Sequence, residues 1–391
     1  GVFVVLGALA FLPEAPLVDG VFESMSAITT TGLSVMDAST LPRSLHFFRA
    51  FGQWLGGVGI VVLTLQSIVG AGRAAARLYA AESGAENTLG SVAATARAAT
   101  KTYVALTALC GLGFALAGVP VFDALLHAFA TVSTGGFSTR PESLGAYGDG
   151  ARMVAILFML AGATSLPLIG LALRRDPKPL WRDGQARLLL GLLTAGTLAL
   201  VAVRGWRIDA TLESLFDATS ALTTTGFSGA AAFPSADEES LIGVVLMAFG
   251  GAAGSTAGGV KLYRLLLWAR VALWVITRRL LPEEAKVPLM LGGTAVSDRE
   301  VRELTAFLGG YLSLALFTAL ALSLSGHAIG ASLFESVSAL STVGLSAGVV
   351  SPTLAWWAKL LLAFDMWVGR VEILPVIILL YPGTWTRGGS A

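Results

Sequence analysis

Four copies of one thirteen-residue pattern, separated by long apolar runs, constrain the fold of this chain more than any other feature of its sequence. The copies occupy residues 22–34, 126–138, 216–228 and 334–346. In each, a large apolar residue stands ten positions before a glycine, and Phe or Leu followed by Ser comes directly after that glycine. Such repetition indicates that one structural unit is built four times along the chain.

Apolar runs flank every copy, and most of them are long enough to cross a bilayer, which takes about 20 residues of helix. They lie near residues 45–65, 102–119, 152–173, 186–203, 241–276, 304–325 and 354–381, with an eighth, shorter run at residues 1–12. Only 13% of the residues are charged, about half the fraction found in an ordinary soluble domain. Each unit is therefore predicted to contain a spanning helix, a segment that enters the membrane and returns, and a second spanning helix.

The predicted fold is an all-α membrane protein in which four helix–pore-loop–helix repeats surround a central pore with fourfold pseudosymmetry. The repeats are assigned to residues 1–70, 71–185, 186–285 and 286–391. The first helix is expected to be truncated, because the chain opens at Gly1 inside an apolar run that is too short to span. A cleaved signal peptide is the alternative, although no basic flank or small-residue cleavage site is visible.

Charged residues predict the orientation of the chain in the membrane. Basic residues concentrate in the connections between repeats, near residues 73–101, 174–187 and 261–302, which are therefore placed in the cytoplasm. Acidic residues concentrate beside the repeated pattern, so the four copies are expected to enter the membrane from outside. The chain is thus predicted to be a multi-pass protein of the cytoplasmic membrane.

Composition excludes several other classes of protein. The formal net charge is +1, so the chain has no basic field that could attract nucleic acid. A single cysteine, Cys110, excludes a disulfide framework and a thiolate metal cage. The three histidines are scattered, and no nucleophile stands in a catalytic arrangement with His or Asp. No enzymatic activity is therefore predicted.

The repeated pattern suits the coordination of a cation. Irregular backbone is tolerated at membrane depth only where it is buried in protein or lines a water-filled path. Each copy can form a short helix whose negative C-terminal end points to the middle of the membrane, and this favours cations over anions. The Thr-x-Gly-Phe/Leu strand that follows can turn its carbonyls toward a common axis, with glycine supplying the positive φ angles that this requires. Four such strands would form a filter that replaces the water shell of an ion by carbonyl oxygens.

The predicted filter segments contain four residues in each copy, and a potassium ion is expected to bind to their backbone. They are Thr30, Thr31, Gly32 and Leu33; Thr134, Gly135, Gly136 and Phe137; Thr224, Thr225, Gly226 and Phe227; and Thr342, Val343, Gly344 and Leu345. A single copy would usually be an ordinary turn at a helix end, but four copies between spanning helices argue against that explanation. His127 stands where the other copies have Glu23, Asp217 and Glu335, so it is expected to anchor a pore helix rather than bind a metal.

A run of small residues at positions 250–261, the glycine loop, interrupts the longest apolar run. Each glycine makes a helix there less favourable by about 1 kcal/mol relative to alanine, so the helix is predicted to break beneath the filter and form a gate. Close helix packing by small residues is the alternative. A phosphate-binding loop is excluded, because Val260 separates Gly259 from Lys261. The residues assigned to the gate are Gly250, Gly251, Gly254, Ser255, Thr256, Gly258, Gly259 and Lys261.

Arg370 lies in the middle of the last apolar run, where a charge is costly unless it faces water or a partner. It is therefore predicted to face the interior of the helix bundle. Glu372 or Asp365 is the partner expected for it. A purely structural salt bridge is the alternative to a role in ion passage.

Together these segments resemble the superfamily of potassium transporters that includes TrkH, KtrB and the plant HKT proteins, and the resemblance covers the whole chain. It is carried by the four filter segments, by Arg49 with residues 51–60, by residues 250–261 and by the Gly-Arg-x-Glu sequence at residues 369–372. The resemblance implies that one subunit with four repeats takes up potassium ions as substrate and has no covalently bound cofactor. It also implies that the glycine loop gates the pore and that Arg370 projects into the cavity below the filter.

The resemblance further implies partners. Members of the superfamily are homodimers in membrane lipid that sit on a cytosolic ring of nucleotide-binding RCK subunits such as TrkA or KtrA. The sequence leaves open whether transport is channel-like or coupled to protons or sodium, as in a symporter.

Two other functions remain open from the sequence. One is a sodium-permeable or unselective transporter of the same fold, although sodium transport in plant relatives is associated with serine at the first filter glycine, and all four positions here are glycine. The other is a secondary transporter with broken helices, which predicts inverted repeats rather than four copies that enter from one side.

Overall fold

The computed structural model describes residues 1–71, 92–174, 176–229, 233–282 and 287–382. Helices dominate these residues, as predicted, and two short strands, Met290–Leu291 and Thr294–Ala295, form an antiparallel pair. Part of the predicted cytoplasmic connection between the first two repeats, with Arg73 and Arg77, lies outside the described residues.

The first two repeats each place a short helix before a filter segment, with further helices on both sides. In the first repeat the helices are Val2–Phe11, Leu17–Ile28 and Arg43–Ala71. In the second they are Val92–Leu116, Val121–Val132, Asp149–Ala163 and Leu166–Arg174, with a 3-10 helix at Ser143–Ala146. The helix Lys178–Arg182 leads into the third repeat.

The last two repeats follow the same order. The third contains Gly184–Val203, Ile208–Leu222, Asp237–Phe249 and Leu262–Leu280. The fourth contains Asp298–Leu324, Ile329–Leu340, Trp356–Val371 and Ile373–Leu380. Side-chain caps fix where both repeats begin, because Asp183 accepts a hydrogen bond from the amide of Ala186, and Ser297 forms a capping box with Glu300.

The four short helices, Leu17–Ile28, Val121–Val132, Ile208–Leu222 and Ile329–Leu340, lie in the buried centre of the molecule. The large apolar residue of the repeated pattern, Phe22, Leu126, Phe216 or Phe334, is at most 2% exposed. Burial of such a side chain contributes about 1.5–3 kcal/mol, which explains why this position is apolar in every copy. The short helices therefore form the core of the molecule, and each filter segment continues directly from one of them.

Long apolar helices surround this core. Among the described residues, three are long and apolar enough to cross a membrane on their own: Thr95–Leu116, Gly184–Val203 and Asp298–Leu324. The pair Asp149–Ala163 and Leu166–Leu173 would form a fourth span, bent by 112°. Large apolar side chains such as Leu112, Leu316 and Phe317 are exposed on the outside, as expected for a surface in contact with lipid.

The second helices of three repeats are broken. The break at residues 250–261 agrees with the predicted position, whereas the apolar runs at residues 152–173 and 354–381, each expected to form one spanning helix, are each divided into two helices, after Ala163 and at Glu372. The breaks after Ala163 and at Glu372 are each followed by a proline in the first turn of the next helix, Pro167 or Pro375. Proline fits that position but cannot continue a helix, since it lacks the N–H group that would bond to the preceding turn.

A buried ion pair joins the first repeat to the last. Lys359 Nζ lies 2.7 Å from Asp19 Oδ1 and also donates to the carbonyl of Pro352 at 2.9 Å. Lys359 belongs to the helix Trp356–Val371, and Asp19 belongs to the first short helix. The first and last repeats are therefore neighbours, as a closed arrangement of repeats requires.

Candidate functional site

All four filter segments have the same backbone geometry. Two residues before each glycine, a threonine lies in the left-handed region, with φ between 52° at Thr134 and 56° at Thr30. The glycine also has a positive φ, from 75° at Gly136 to 99° at Gly344. Successive carbonyls of a regular strand point to opposite sides, whereas a left-handed residue at every second position turns them to the same side.

Hydrogen bonds at the ends of the short helices hold the threonines in this conformation. In the first repeat the amide of Thr30 donates to the carbonyl of Ala27 at 3.1 Å, and the amide of Thr31 donates to the carbonyl of Ser26 at 2.9 Å. Equivalent pairs of bonds occur at residues 134–135, 224–225 and 342–343. This is the Schellman motif, which ends a helix at a left-handed residue.

The left-handed residue of a Schellman motif is usually glycine. The sequence-based expectation that glycine supplies the positive φ angles of the filter is incomplete, since Thr30, Thr134, Thr224 and Thr342 share them. A residue with a side chain costs of order 1–3 kcal/mol in such a region and persists where its surroundings fix it. The threonine was recognised as part of the pattern, but its conformation has no signal in the sequence.

The four glycines link the filter segments into a closed ring. A side chain added to any one of them would strike the carbonyl oxygen of the residue before the corresponding glycine in the next repeat. Gly32 faces the carbonyl of Gly135, Gly136 that of Thr225, Gly226 that of Val343, and Gly344 that of Thr31. The order returns to its start, so the segments are arranged around one axis with carbonyl oxygens between them.

In three of the four repeats, a polar side chain on the short helix anchors the segment that leaves the filter, whereas Asp217 of the third repeat pairs with Arg204 instead. Glu23 Oε1 accepts hydrogen bonds from Ser34 Oγ at 2.7 Å and from the amide of Val35 at 2.8 Å. Glu335 Oε1 accepts from the amide of Ala347 at 3.0 Å. His127 Nε2 lies 3.0 Å from Ser138 Oγ, so the expectation that this histidine has an anchoring role agrees with its contacts.

The side chains that support the filter segments differ between the repeats. In the first and third repeats two threonine hydroxyls lie 2.8 Å apart, Thr29 with Thr31 and Thr223 with Thr225. In the fourth, Tyr311 Oη lies 2.6 Å from Ser341 Oγ. In the second, the side chain of Gln53 takes this place, and its contact with the filter segment was not anticipated from the sequence.

The glycine loop lies against the inner ends of three filter segments. The amide of Gly258 donates to Thr224 Oγ1 at 2.7 Å, and the amide of Gly259 donates to the carbonyl of Ser341 at 3.1 Å. Thr256 Oγ1 lies 3.0 Å from the carbonyl oxygens of Val132 and Gly162. The loop therefore crosses the space beneath the ring, as the position of the break predicted.

Arg370 is 7% exposed, and its contacts differ from those expected. Nη1 donates to the carbonyl of Thr256 at 2.8 Å, and Nη2 donates to the carbonyl of Gly56 at 3.2 Å. The predicted pairing with Glu372 or Asp365 is wrong, because among the described residues no carboxylate lies within ion-pair distance of this guanidinium. The guanidinium donates to two backbone carbonyls instead, and no acid in the described part of the chain neutralises its positive charge.

Glu372 and Asp365, the partners expected for Arg370, have environments separate from it and from each other. Glu372 Oε2 lies 2.6 Å from Arg264 Nη2, on the helix that follows the glycine loop. The guanidinium of Arg264 also stacks on Phe307 at 4.0 Å from the ring centre. Asp365 is fully buried, and neither of its carboxylate oxygens has a hydrogen-bond partner among the described residues.

Comparison with known proteins gives consistent matches over nearly the whole chain. A family model described as TrkH, cation transport protein, matches residues 9–383. An uncharacterized cation transporter of Methanocaldococcus jannaschii is 33% identical over 93% of this chain and 75% of its own length. The Trk system potassium uptake protein TrkH of Vibrio parahaemolyticus is 33% identical over 97% of this chain and 82% of its own length. The crystal structure of the potassium transporter TrkH from Vibrio parahaemolyticus superposes with a TM-score of 0.86 at 29% identity, covering 98% of this chain and 83% of that one.

Proposed function

The chain belongs to the TrkH family of cation transport proteins, and from this membership we propose that it takes up potassium ions across the cytoplasmic membrane through the ring of filter segments. It is an all-α, multi-pass membrane protein. Relatives at about one third identity are potassium uptake proteins by name.

The closed order of the four glycine–carbonyl contacts is the observation that carries this proposal. Carbonyl oxygens collected around one axis can replace the water molecules that a potassium ion loses when it leaves bulk solution. Short helices whose C-terminal ends meet at the ring add a favourable potential for a cation. The potassium ion is the substrate, and the filter backbone from Thr30 to Leu33 and its three equivalents binds it.

The glycine loop and Arg370 would limit flow on the inner side of the ring. The loop is held by hydrogen bonds to the ends of three filter segments and to Arg370. The positive charge of Arg370, beside the glycine loop, repels a cation and opposes its retention below the filter. A displacement of the loop would open the path, and its many glycines give the backbone the freedom to move.

The partners proposed for this chain are a second copy of itself, membrane lipid and a cytosolic nucleotide-binding RCK subunit like TrkA or KtrA. The relatives are named as components of a Trk system. Arg264 and Glu372 connect the glycine loop to the last helices, and a cytosolic subunit that moves those helices would act on the loop.

Flux into liposomes tests the proposed function. The purified protein is reconstituted, and uptake is measured under separate gradients of potassium, sodium and protons. Potassium and rubidium uptake is expected to exceed sodium uptake and to need no other gradient. Equal sodium and potassium uptake would favour the sodium-permeable alternative. Potassium uptake that occurs only with a proton or sodium gradient would favour a secondary transporter.

A further inference from the structure

The second filter segment differs from the others in the residue that precedes its glycine. Thr31, Thr225 and Val343 occupy this position in three repeats, whereas the second repeat has Gly135 followed by Gly136. Two consecutive glycines give the backbone its greatest conformational freedom. This segment therefore needs support from elsewhere if its carbonyls are to keep the same geometry as the other three.

Gln53 occupies the space that the missing side chain leaves. A Cβ atom built on Gly135 would lie 2.6 Å from Gln53 Oε1 and 2.8 Å from Gln53 Nε2. Both residues are buried, and Gln53 belongs to the helix Arg43–Ala71 of the first repeat. The side chain of one repeat thus replaces the missing side chain of the next.

The amide of Gln53 bridges both sides of the filter glycine. Its Nε2 donates to the carbonyl oxygen of Gly135, and its Oε1 accepts from the amide of Phe137 at 3.2 Å. A carbonyl needs a donor and an N–H group needs an acceptor, so this orientation of the side-chain amide satisfies both. The two bonds enclose Gly136 and fix the peptide planes before and after it.

The helix that carries Gln53 is itself fixed beside it. Tyr103 Oη donates to the carbonyl of Trp54 at 2.9 Å, and Trp54 Nε1 donates to Thr107 Oγ1 at 3.1 Å. The Gly135 carbonyl that Gln53 holds is the one that Gly32 faces in the ring. A rigid support therefore determines the direction of one of the carbonyls between neighbouring filter segments.

We propose that Gln53 is a specificity-determining residue that positions the Gly135 carbonyl and thereby sets the preference of the ring for potassium over sodium. The inference rests on the proposed function and deepens it. A carbonyl free to rotate can approach the smaller sodium ion, whereas a carbonyl held in place keeps the ring at one size. Gln53 does not itself bind the ion, so its effect is on discrimination between ions.

The test compares rubidium with sodium uptake into liposomes for the parent protein and for Gln53→Met, which keeps the length of the side chain and loses both hydrogen bonds. The uptake ratio is expected to fall about fivefold, as expected for the loss of a buried hydrogen bond that acts on only one of the two ions. Thr102→Val is the matched control, since it removes the hydrogen bond of a buried hydroxyl to the carbonyl of Ala98 at 3.0 Å, within its own helix, and leaves the support of Gln53 intact. Its ratio should remain that of the parent.

A second variant approaches the same contact from the filter side. Gly135→Ala places a methyl group where the Gln53 amide lies, and it is expected to lower the ratio in the same way. In a Gln53→Ala background, Gly135→Thr restores the arrangement of the first and third repeats, and the ratio should recover. Folded Gln53→Met and Gly135→Ala proteins with the parental ratio would overturn the role of Gln53. A parent protein without any preference for rubidium would instead overturn the proposed function.

Discussion

Two features of the backbone at Gly32 exclude every other residue type. Its φ is 92°, and a Cβ atom would strike the carbonyl oxygen of Gly135. Gly118 has a similar φ of 86°, but a Cβ atom there has no neighbour within 4 Å. The two glycines therefore separate the cost of backbone strain from the cost of displacing the neighbouring filter segment.

Gly32→Ser is expected to lower the ratio of rubidium to sodium uptake about tenfold, which corresponds to about 1.4 kcal/mol. The added side chain must push the Gly135 carbonyl away from its place in the ring. Gly118→Ser imposes comparable strain outside the ring and should leave the ratio unchanged. Equal ratios for Gly32→Ser and the parent, both folded, would contradict the assignment of Gly32 to the filter.

Asp365 and Asp217 are both buried but differ in their partners. Asp217 Oδ2 lies 2.8 Å from Arg204 Nη2, whereas both oxygens of Asp365 lack a hydrogen-bond partner among the described residues. Thr318, beside Asp365, likewise has a hydroxyl without a partner in hydrogen-bond geometry. An unsatisfied buried carboxyl lowers stability rather than raising it.

Asp365→Leu is therefore expected to stabilise the protein by about 1–3 kcal/mol, measured as a rise in the thermal unfolding midpoint in detergent. Asp217→Leu is the matched comparison, and it should destabilise the protein by about 1.5–3 kcal/mol because it removes a charged hydrogen bond to Arg204, which keeps only its second carboxylate partner, Glu239. A loss of stability or of potassium uptake in Asp365→Leu would mean that this carboxyl has a partner in the working protein.

The glycine loop is the element whose removal has the clearest expected effect. Deletion of residues 252–256 removes Thr256, and with it the contacts to Arg370 and to the carbonyls of Val132 and Gly162. Potassium flux is expected to rise, and to lose any dependence on a nucleotide-binding subunit, because the element that such a subunit would move is absent. Flux in liposomes or single-channel recording measures the effect, and the elution profile on size exclusion checks folding.

An unchanged flux in the deletion protein would contradict the gating role of the glycine loop. A folded deletion protein that conducts no faster than the parent would mean that the small residues serve helix packing and that another element limits flow. Ala253 offers a control within the same loop, since its amide is held by Gln185 Oε1 at 2.8 Å and not by a filter segment. Gln185→Leu removes that bond and should change flux less than the deletion.

Features that repeat or that depend on local chemistry could be predicted from the sequence. The short helices, the four filter segments and the break at residues 250–261 all follow from apolar patterning and glycine content. The bends after Ala163 and at Glu372 were missed, although Pro167 and Pro375 mark them. A proline within an apolar run was the available signal, and it was outweighed by the length of the run.

Contacts between distant parts of the chain could not be predicted. Gln53 and Gly135 are 82 residues apart, and Arg370 and Thr256 are 114 residues apart. Arg370 was assigned to nearby acids because opposite charges are the obvious partners for a buried guanidinium. Backbone carbonyls serve equally well as acceptors, but only the folded chain reveals which of them are within reach.

The ion pair of Lys359 with Asp19 joins the first repeat to the last, beside an apolar cluster that includes Phe22 and Leu362. The two paired residues are 340 positions apart, and both are largely buried. Lys359→Met leaves the Asp19 carboxylate without its cation, so the protein is expected to lose about 3–5 kcal/mol of stability. The thermal unfolding midpoint in detergent measures the loss.

The double variant Lys359→Met with Asp19→Leu provides the control for this prediction. It removes both charges and should recover most of the stability, because no unpaired buried charge remains. Arg299→Ala offers a second comparison, since its pair with Glu303 is exposed and should contribute little. A Lys359→Met protein as stable as the parent would show that the first and last repeats are held together by apolar packing alone.

In a channel assembled from four identical subunits, one mutation changes the filter segment of every subunit at once. In this chain each filter segment is encoded separately and is supported by side chains of its own. Paired threonine hydroxyls support two of the segments, Gln53 supports another, and Tyr311 supports the last. A substitution of any of these supporting side chains removes the support of one filter segment and leaves that of the other three. Ion discrimination is therefore expected to decline in increments as supports are removed one after another, which gives such a sequence intermediate selectivities through which it can evolve.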